Sequence, residues 1–277
     1  MPGINSTGLP NTDDYNLGRG KVFFASLTAG IPGAYRDLGN APEFNISIES
    51  ETLEHQSSRE GLKTTDKEVV ISQKMTLSLT LDEINFENLA ALFSGATASH
   101  TNVAVAGFSK YEMVGAVELG RWYDIVNSSN ERAYDLTETG DLVLNNGDDD
   151  TLLVEDTDYT ADLVMGRVFL LSTATNISAG EALDVTLTAD AAPTASIDEV
   201  RALTQTSVTG ALKFIAENPA ASDHQTEFQF HQVSLKAEGD FGLISDEFST
   251  MQFTAVAERN ELADSLSPTL TVRTFAQ

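Results

Sequence analysis

From Val69 to Leu81 the chain alternates without a break. Val69, Ile71, Gln73, Met75, Leu77, Leu79 and Leu81 share one parity, and Val70, Ser72, Lys74, Thr76, Ser78 and Thr80 the other. A two-residue period places successive side chains on opposite faces of a strand and fits no helix. The pattern also fixes which way the strand faces. A slip of one residue would turn Met75, Leu77 and Leu79 into water, and each buried leucine is worth roughly 1.5–3 kcal/mol. The strand runs straight into DEINFENLAALFSG, where Phe86, Leu89, Ala90 and Phe93 recur at helical spacing. A helix is expected over Asn85–Ser94, started by Asp82 or Asn85 and stopped by a left-handed Gly95. Phe86, Leu89 and Phe93 are its expected contacts with the sheet.

The flanking sequence is also rich in strand signals. Lys21–Thr28 is an apolar strand, followed by the breakers Gly30-Ile31-Pro32-Gly33 and Gly39-Asn40. In Glu43–Ser50, Phe44, Ile46 and Ile48 are expected inward. TLEHQSSREGLKTTDK has no apolar period and reads as a long loop, a length that compact domains keep only for a use. It concentrates Arg59, Lys63 and Lys67 in a chain short of bases, which favours an intermolecular contact over a merely solvated loop. Ser207–Glu217 alternates again. In Glu227–Glu238 the parity changes between Phe230 and Val233, so a bulge near His231-Gln232 is expected. Met251–Ala257 and Thr269–Phe275 are the last strands. Between Arg132 and Arg167 no base interrupts a long run of aspartates and glutamates, and the strand fragments Asp141–Leu144, Thr151–Val154, Tyr159–Val164, Val168–Ser172 and Ala182–Thr188 suggest a small sandwich or barrel.

Composition narrows the functional classes. The net charge is −26, from 42 acidic and 16 basic residues. Tight nucleic-acid binding needs the opposite balance, because affinity comes from neutralising phosphates. With no cysteine, disulfides, thiolate metal sites and cysteine nucleophiles are excluded. MPGINSTGLPNTDDYNLGRG has neither a basic start nor an apolar run, so no signal peptide is expected, and no apolar run reaches membrane-spanning length. His55, His100, His224 and His231 form no HxxxH or HxH pair, and three of them fall in segments that read as loop. No G-x-S-x-G turn exists to present a serine nucleophile. The turn Asn145–Asp150 offers several oxygen ligands for Ca²⁺, but it lacks the full calcium-loop spacing, and a solvated turn is the preferred reading. Paired carboxylates of a glycosidase would need an aromatic-lined cleft, for which the single Trp122 is slender support.

Two longer stretches carry a family resemblance. NLGRGKVFFASL, YRDLGNAPEFNISIESETLEHQSSREG, the long strand and FENLAALFSG come first. GALKFIAENP, VSLKAEGDFGLISDEFSTMQFTAVAE and PTLTVRTF follow. In this order they resemble the major tail tube protein of long-tailed bacteriophages, over about two thirds of the chain. The resemblance implies a mainly β fold: a tail-tube-type sandwich or barrel with one short helix, plus an acidic β-rich insertion. The expected divisions are an arm over 1–17, a first tube segment over 18–99, the acidic elaboration over 100–195, and a second tube segment over 196–277.

The implied function is structural. Hexameric rings stack into a hollow, negatively charged conduit through which DNA passes passively, without enzymatic activity or a cofactor. The implied partners are the chain itself, together with the tape measure, tail terminator and distal tail proteins. The location is the virion tail after assembly in a host cytoplasm, with a leaning towards a non-contractile tail. Arg59, Glu60, Lys63, Asp66 and Lys67 are then candidates for contacts between rings, and Ser72, Lys74, Thr76 and Ser78 for the lumen face. The alternative reading is a Ca²⁺-binding β-sandwich of surface or adhesion type. The charge balance generates a first prediction: a duplex oligonucleotide titrated against the protein by fluorescence anisotropy should show no salt-dependent binding. Micromolar affinity with a steep salt slope would overturn it.

Overall fold

The computed structural model describes residues 18–57, 61–101, 110–127, 129–136, 142–187, 196–217 and 224–276. The expected arm over 1–17, together with Arg59 and Glu60, lies outside the described residues. The protein is mainly β, with one helix among the described residues. In chain order the elements are β1 (Gly20–Thr28), β2 (Ile31–Pro32), β3 (Arg36–Asp37), β4 (Glu43–Ser57), β5 (Thr64–Leu81), α1 (Phe86–Leu92) and β6 (Ala96–Thr101). Then come β7 (Tyr111–Val114), β8 (Arg121–Asp124), β9 (Leu142–Asn146), β10 (Tyr159–Asp162), β11 (Arg167–Leu170) and β12 (Leu183–Leu187). The chain closes with β13 (Ser196–Arg201), β14 (Val208–Glu217), β15 (His224–Glu238), β16 (Met251–Ala257) and β17 (Leu270–Ala276). It divides into two compact units, one made of the chain up to Thr97 and from Val200 onward, the other of Ala98–Glu199. The short ladder of β6 with β13 joins the two strands on which the chain passes between units.

The first unit is built on a nine-stranded antiparallel sheet ordered β2-β1-β14-β15-β16-β5-β4, with β3 on β1 and β17 on β15. Its register puts Val22, Phe24, Leu212, Phe230, Val233, Leu235, Met251, Phe253, Leu77, Leu79 and Leu81 on a single apolar face, and these form the core. Phe44 on β4 packs 5.5 Å from Phe214 on β14 and 6.2 Å from Phe230 on β15, measured between ring centroids. At roughly 4.8 Å per strand, a flat sheet would hold β4 and β14 far apart. The sheet therefore folds over on itself as a sandwich does, with one apolar face as its filling.

Three expectations about the long strand and its neighbours change. The segment read as a loop over Thr52–Lys67 is mostly strand: β4 runs on to Ser57 and β5 begins at Thr64, with residues 58–60 between them outside the described residues. Polar cross-strand pairs such as Glu54 with Glu68 and His55 with Lys67 form this part of the ladder, and they leave no apolar period to read. The alternation from Val69 is also not continuous. The register shifts between Glu51 and Thr52, which leaves Ile71 as the extra residue on β5. Val69 therefore pairs with Leu53 and lies on the face of Ser72 and Lys74, while Met75, Leu77, Leu79 and Leu81 keep the core face. Ile46 and Ile48, expected inward, are exposed because β4 extends past the strands that would cover them.

Helix α1 starts where expected, with Asn85 Oδ1 accepting from Asn88 N at 2.8 Å. Its buried face is different. Phe86 is 49 % exposed and Phe93 38 %, while Asn88, Ala90, Ala91 and Leu92 are buried and Leu89 is partly covered. Asn88 explains the rotation. Its Nδ2 donates to Leu38 O and Glu83 O, and its Oδ1 accepts from Arg36 Nη1 at 2.7 Å, which ties the helix to the chain leaving β3. Ser94, not Gly95, takes the left-handed conformation (φ 47°). Gly95 is needed for space instead, because a Cβ there would lie 2.4 Å from Arg201 O.

In the second unit, β10-β11-β8 and β7-β12-β9 form two three-stranded sheets around Ile125, Leu144, Leu153, Val168, Leu170, Ile177, Leu183 and Val185. The expected fragments Asp141–Leu144, Tyr159–Val164, Val168–Ser172 and Ala182–Thr188 fall on β9, β10, β11 and β12, whereas Thr151–Val154 makes only an isolated bridge from Leu152 to Asn145, and β7 and β8 were not read. Asp158 is buried beside this core. Its carboxylate accepts from the backbone N–H groups of Val154 (2.8 Å), Thr175 (2.8 Å) and Asn176 (3.0 Å), and from Asn176 Nδ2 (2.7 Å). Burial alone would raise its pKa, but these donors hold it at about 2 against an ordinary 3.8. The folded value lies below the unfolded one, so the stabilisation is fully present above pH ~4 and fades as pH falls towards 2. A shift of this size corresponds to about 2 kcal/mol. Asp158→Asn, which sets an NH₂ against those donors, should lower thermal stability by at least that much at neutral pH. It should also flatten the pH dependence of Tm between pH 4 and 2, as followed by calorimetry.

Candidate assembly surface

The feature of the first unit that its own core leaves unexplained is the β4–β5 ribbon. β16 pairs with β5 only from Met251–Leu81 to Ala257–Met75, so Thr64–Lys74 runs on with β4 as its sole neighbour. At ~3.4 Å per residue this overhang reaches roughly 35 Å. A two-stranded ribbon is marginal by itself in water. This one also exposes Ile48, Leu53, Val69, Val70 and Ile71, with Leu62 near its tip. The register places Leu53 and Val69 on one face and Ile48 and Val70 on the other, so neither face of the ribbon is wholly polar. Among the described residues the outer edge of β4 has no strand beside it, and β4 closes the sheet at that end. Apolar side chains and backbone groups without a neighbouring strand thus lie together on one projection, the combination that makes a surface a candidate for contact with other chain.

The residues singled out from the sequence fall on this ribbon in two groups. Lys63, Asp66 and Lys67 are exposed near its far end. Asp66 Oδ1 lies 2.5 Å from His55 Nδ1, and Thr65 Oγ1 donates to Glu54 Oε2 at 3.2 Å. Ser72, Lys74, Thr76 and Ser78 share the face opposite the core and stand across the ladder from Glu51, Glu49, Ser47 and Asn45. Ser72 Oγ donates to Glu51 Oε2 at 3.1 Å. Lys74 thus faces a carboxylate-bearing neighbour, Glu49, on a polar surface. Farther along the sheet the same outward face carries a charge ladder: Glu227 bonds Lys213 Nζ at 3.1 Å and Arg273 Nη1 at 2.9 Å, and Arg273 also bonds Gln229.

Exposed apolar loops carry no strand or helix period in the sequence and were missed there. Leu243, Ile244 and Phe248 stand almost entirely in solvent, Ile244 at 99 % exposure. Leu262 and Leu266, in the connection from β16 to β17, are likewise exposed. The signal was present in the sequence: apolar residues in a segment with no strand or helix period.

His231, Asp264 and the Asn145–Asp150 turn make structural contacts. All four histidines lie in strands, not in loops as three were read, because the strands reach further than their apolar patterns. His231 is buried at the bulge in β15, with Nε2 2.9 Å from Thr271 Oγ1 and 3.8 Å from Asp264 Oδ2. Thr271 Oγ1 donates to Asp264, so His231 Nε2–H donates to Thr271, and the buried Nδ1 is left as a bare lone pair. Burial pushes this imidazole below its ordinary pKa despite the pull of Asp264. The backbone N–H groups of Ser267 and Leu266 hold the Asp264 carboxyl below its own. In the Asn145–Asp150 turn, Asp149 accepts from Thr151 N, while Lys110 bridges Asp150 and Asp184. Among the described residues, no group of three or more His, Asp or Glu is placed to hold a metal ion.

A family model described as "Protein of unknown function UCP028589" matches residues 15–267. No curated protein matches the chain.

The two faces of β5 should respond oppositely to charge. Leu77 is 1 % exposed, so Leu77→Asp buries an unpaired carboxylate and should cost at least about 3 kcal/mol in urea unfolding. Ser78→Asp, on the exposed face, should stay within about 0.5 kcal/mol of the parent. The reverse ranking would invert the facing of the strand.

Proposed function

The chain belongs to this family of proteins of unknown function, and we propose that it is a structural subunit that assembles with copies of itself, as a phage tail tube protein does. The observation that carries the proposal is the β4–β5 ribbon: a long overhang with an open edge and apolar residues on both faces. A monomer gains nothing from this ribbon, whereas a neighbouring copy pairs its edge and covers its apolar side chains. The resemblance of the flanking sequence to tail tube proteins supports hexameric rings stacked into a tube, with tape measure, terminator and distal tail proteins at its ends. The outward face bearing Ser72, Lys74, Thr76 and Ser78 is the surface we assign to the lumen. The net charge of −26 supports a passive role, since a wall of like charge lets DNA slide by without holding it.

Negative-stain electron microscopy of the concentrated protein should show rings or hollow tubes. Leu53→Lys combined with Val70→Lys places a charge on each exposed face of the ribbon, so Tm should stay within a few degrees while rings and tubes disappear. A parent protein that remains monomeric at all concentrations in sedimentation would overturn the proposal, as would a double variant that assembles normally.

A further inference from the structure

The second unit holds a surface that the tube reading does not use. In the β10-β11-β8 sheet, Tyr123, Val168, Leu170 and Tyr159 turn inward to the core. The opposite face therefore carries Trp122 and Phe169, which are cross-strand partners with ring centroids 5.3 Å apart and planes tilted by 49°. Trp122, the only tryptophan of the chain, is 49 % exposed. The Arg167 guanidinium lies 4.5 Å from the centre of the indole and covers one of its sides. Arg167 is itself held by Asp162 Oδ2, at 3.1 Å through Nε and 2.9 Å through Nη2. Beside it, Asp124 bonds Arg132 Nη2 at 2.9 Å. The indole is thus fixed from one side and half open to solvent, within a border of paired carboxylates and guanidinium groups.

We propose that this face is a binding platform for a neutral glycan, with one pyranose ring stacked on Trp122. An aromatic ring that is already held loses little freedom on binding, and its electron-rich face suits the positively polarised C–H groups on one side of a sugar. Asp124 and Asp162 offer acceptors to ring hydroxyls, and Arg167 offers a donor. Charge selects the ligand class. Stacking sites for single-stranded nucleic acid set their aromatics in a basic groove. Here each guanidinium is neutralised by its own carboxylate in a chain of charge −26, which repels phosphate and acidic polysaccharide alike.

Because Trp122 is alone, its fluorescence reports on this face directly. Maltohexaose, cellohexaose and the hexamer of N-acetylglucosamine serve as probes, each titrated into the full-length protein, with isothermal calorimetry alongside. The expected result is a saturable shift of the tryptophan emission by at least one probe, with Kd on the order of 0.1–1 mM. Calorimetry should show that Trp122→Ala weakens that binding at least tenfold and that Trp122→Tyr restores part of it, with the circular dichroism spectrum unchanged in both. Three outcomes would overturn the proposal: no response to any probe up to tens of millimolar, undiminished binding by Trp122→Ala, or a stronger response to an oligothymidylate. A fourth is an emission shift that follows protein concentration without sugar, which would make the face a contact between chains. The first three outcomes do not depend on whether rings form.

Discussion

The first unit depends on one residue too many in β15. Gly210 pairs with Val233 and Leu212 with Phe230, so His231 and Gln232 together stand opposite Ala211. At this bulge β15 changes neighbours: its first half pairs with β17 through Phe230, its second half with β16 from Val233. A strand that passes from one layer of a sandwich to the other must bend, and a bulge supplies the bend and restores the parity of the inward face. Without it, either Phe228 and Phe230 or Val233 and Leu235 would face water. Asn260 secures the corner: Nδ2 donates to Gly30 O at 2.7 Å and reaches His231 O at 3.4 Å, while Oδ1 accepts from Leu262 N and Ala263 N. The neighbouring His231, Thr271 and Asp264 fill this corner as one hydrogen-bonded chain, with His231 Nδ1 left unpaired within it.

The two ends of the sheet are managed differently. At the β1 end, β2 and β3 pair short stretches of the edge. At the β4 end no strand among the described residues does, and the ribbon continues past its support with apolar residues outward. An edge of that length is a hazard for a solitary protein and an asset for an assembling one. The structural role proposed for the chain rests on this asymmetry.

The second unit shows how a small, acidic β structure holds together without disulfides. Two buried polar side chains replace connecting strands. Asp158 gathers donors from residues 154, 175 and 176, and Asn146 donates to Glu181 Oε2 and Asn176 O while accepting from Asp148 N. Close approach adds to this at Gly166, where a Cβ would meet Ala133 O at 1.6 Å and the φ of 59° already favours glycine.

Much of this was legible in the sequence, for a physical reason: a strand with one buried face must alternate, and alternation can be counted. Leu77–Leu81, Phe228–Leu235 with its bulge, Met251–Ala257 and the cap at Asn85 follow from period, parity and hydrogen-bonding residue type alone. Where burial comes from partners distant in sequence, the pattern is silent or misleads. The hairpin arm was invisible because ladder hydrogen bonds, not apolar period, make Glu54–Ser57 and Thr64–Glu68 strand. The bulge at Ile71 broke an alternation that looked continuous. The helix turned its Asn88 face inward because Arg36, Leu38 and Glu83 were there to satisfy the amide, and this left Phe86 and Phe93 half exposed. The sequence by itself determined a mainly β chain, its charge and most of its strand faces, because these depend on neighbours along the chain. Only the tertiary structure decided which edge stays open, which polar groups are buried and where Trp122 points, because each of these depends on residues that meet only when the sheets fold.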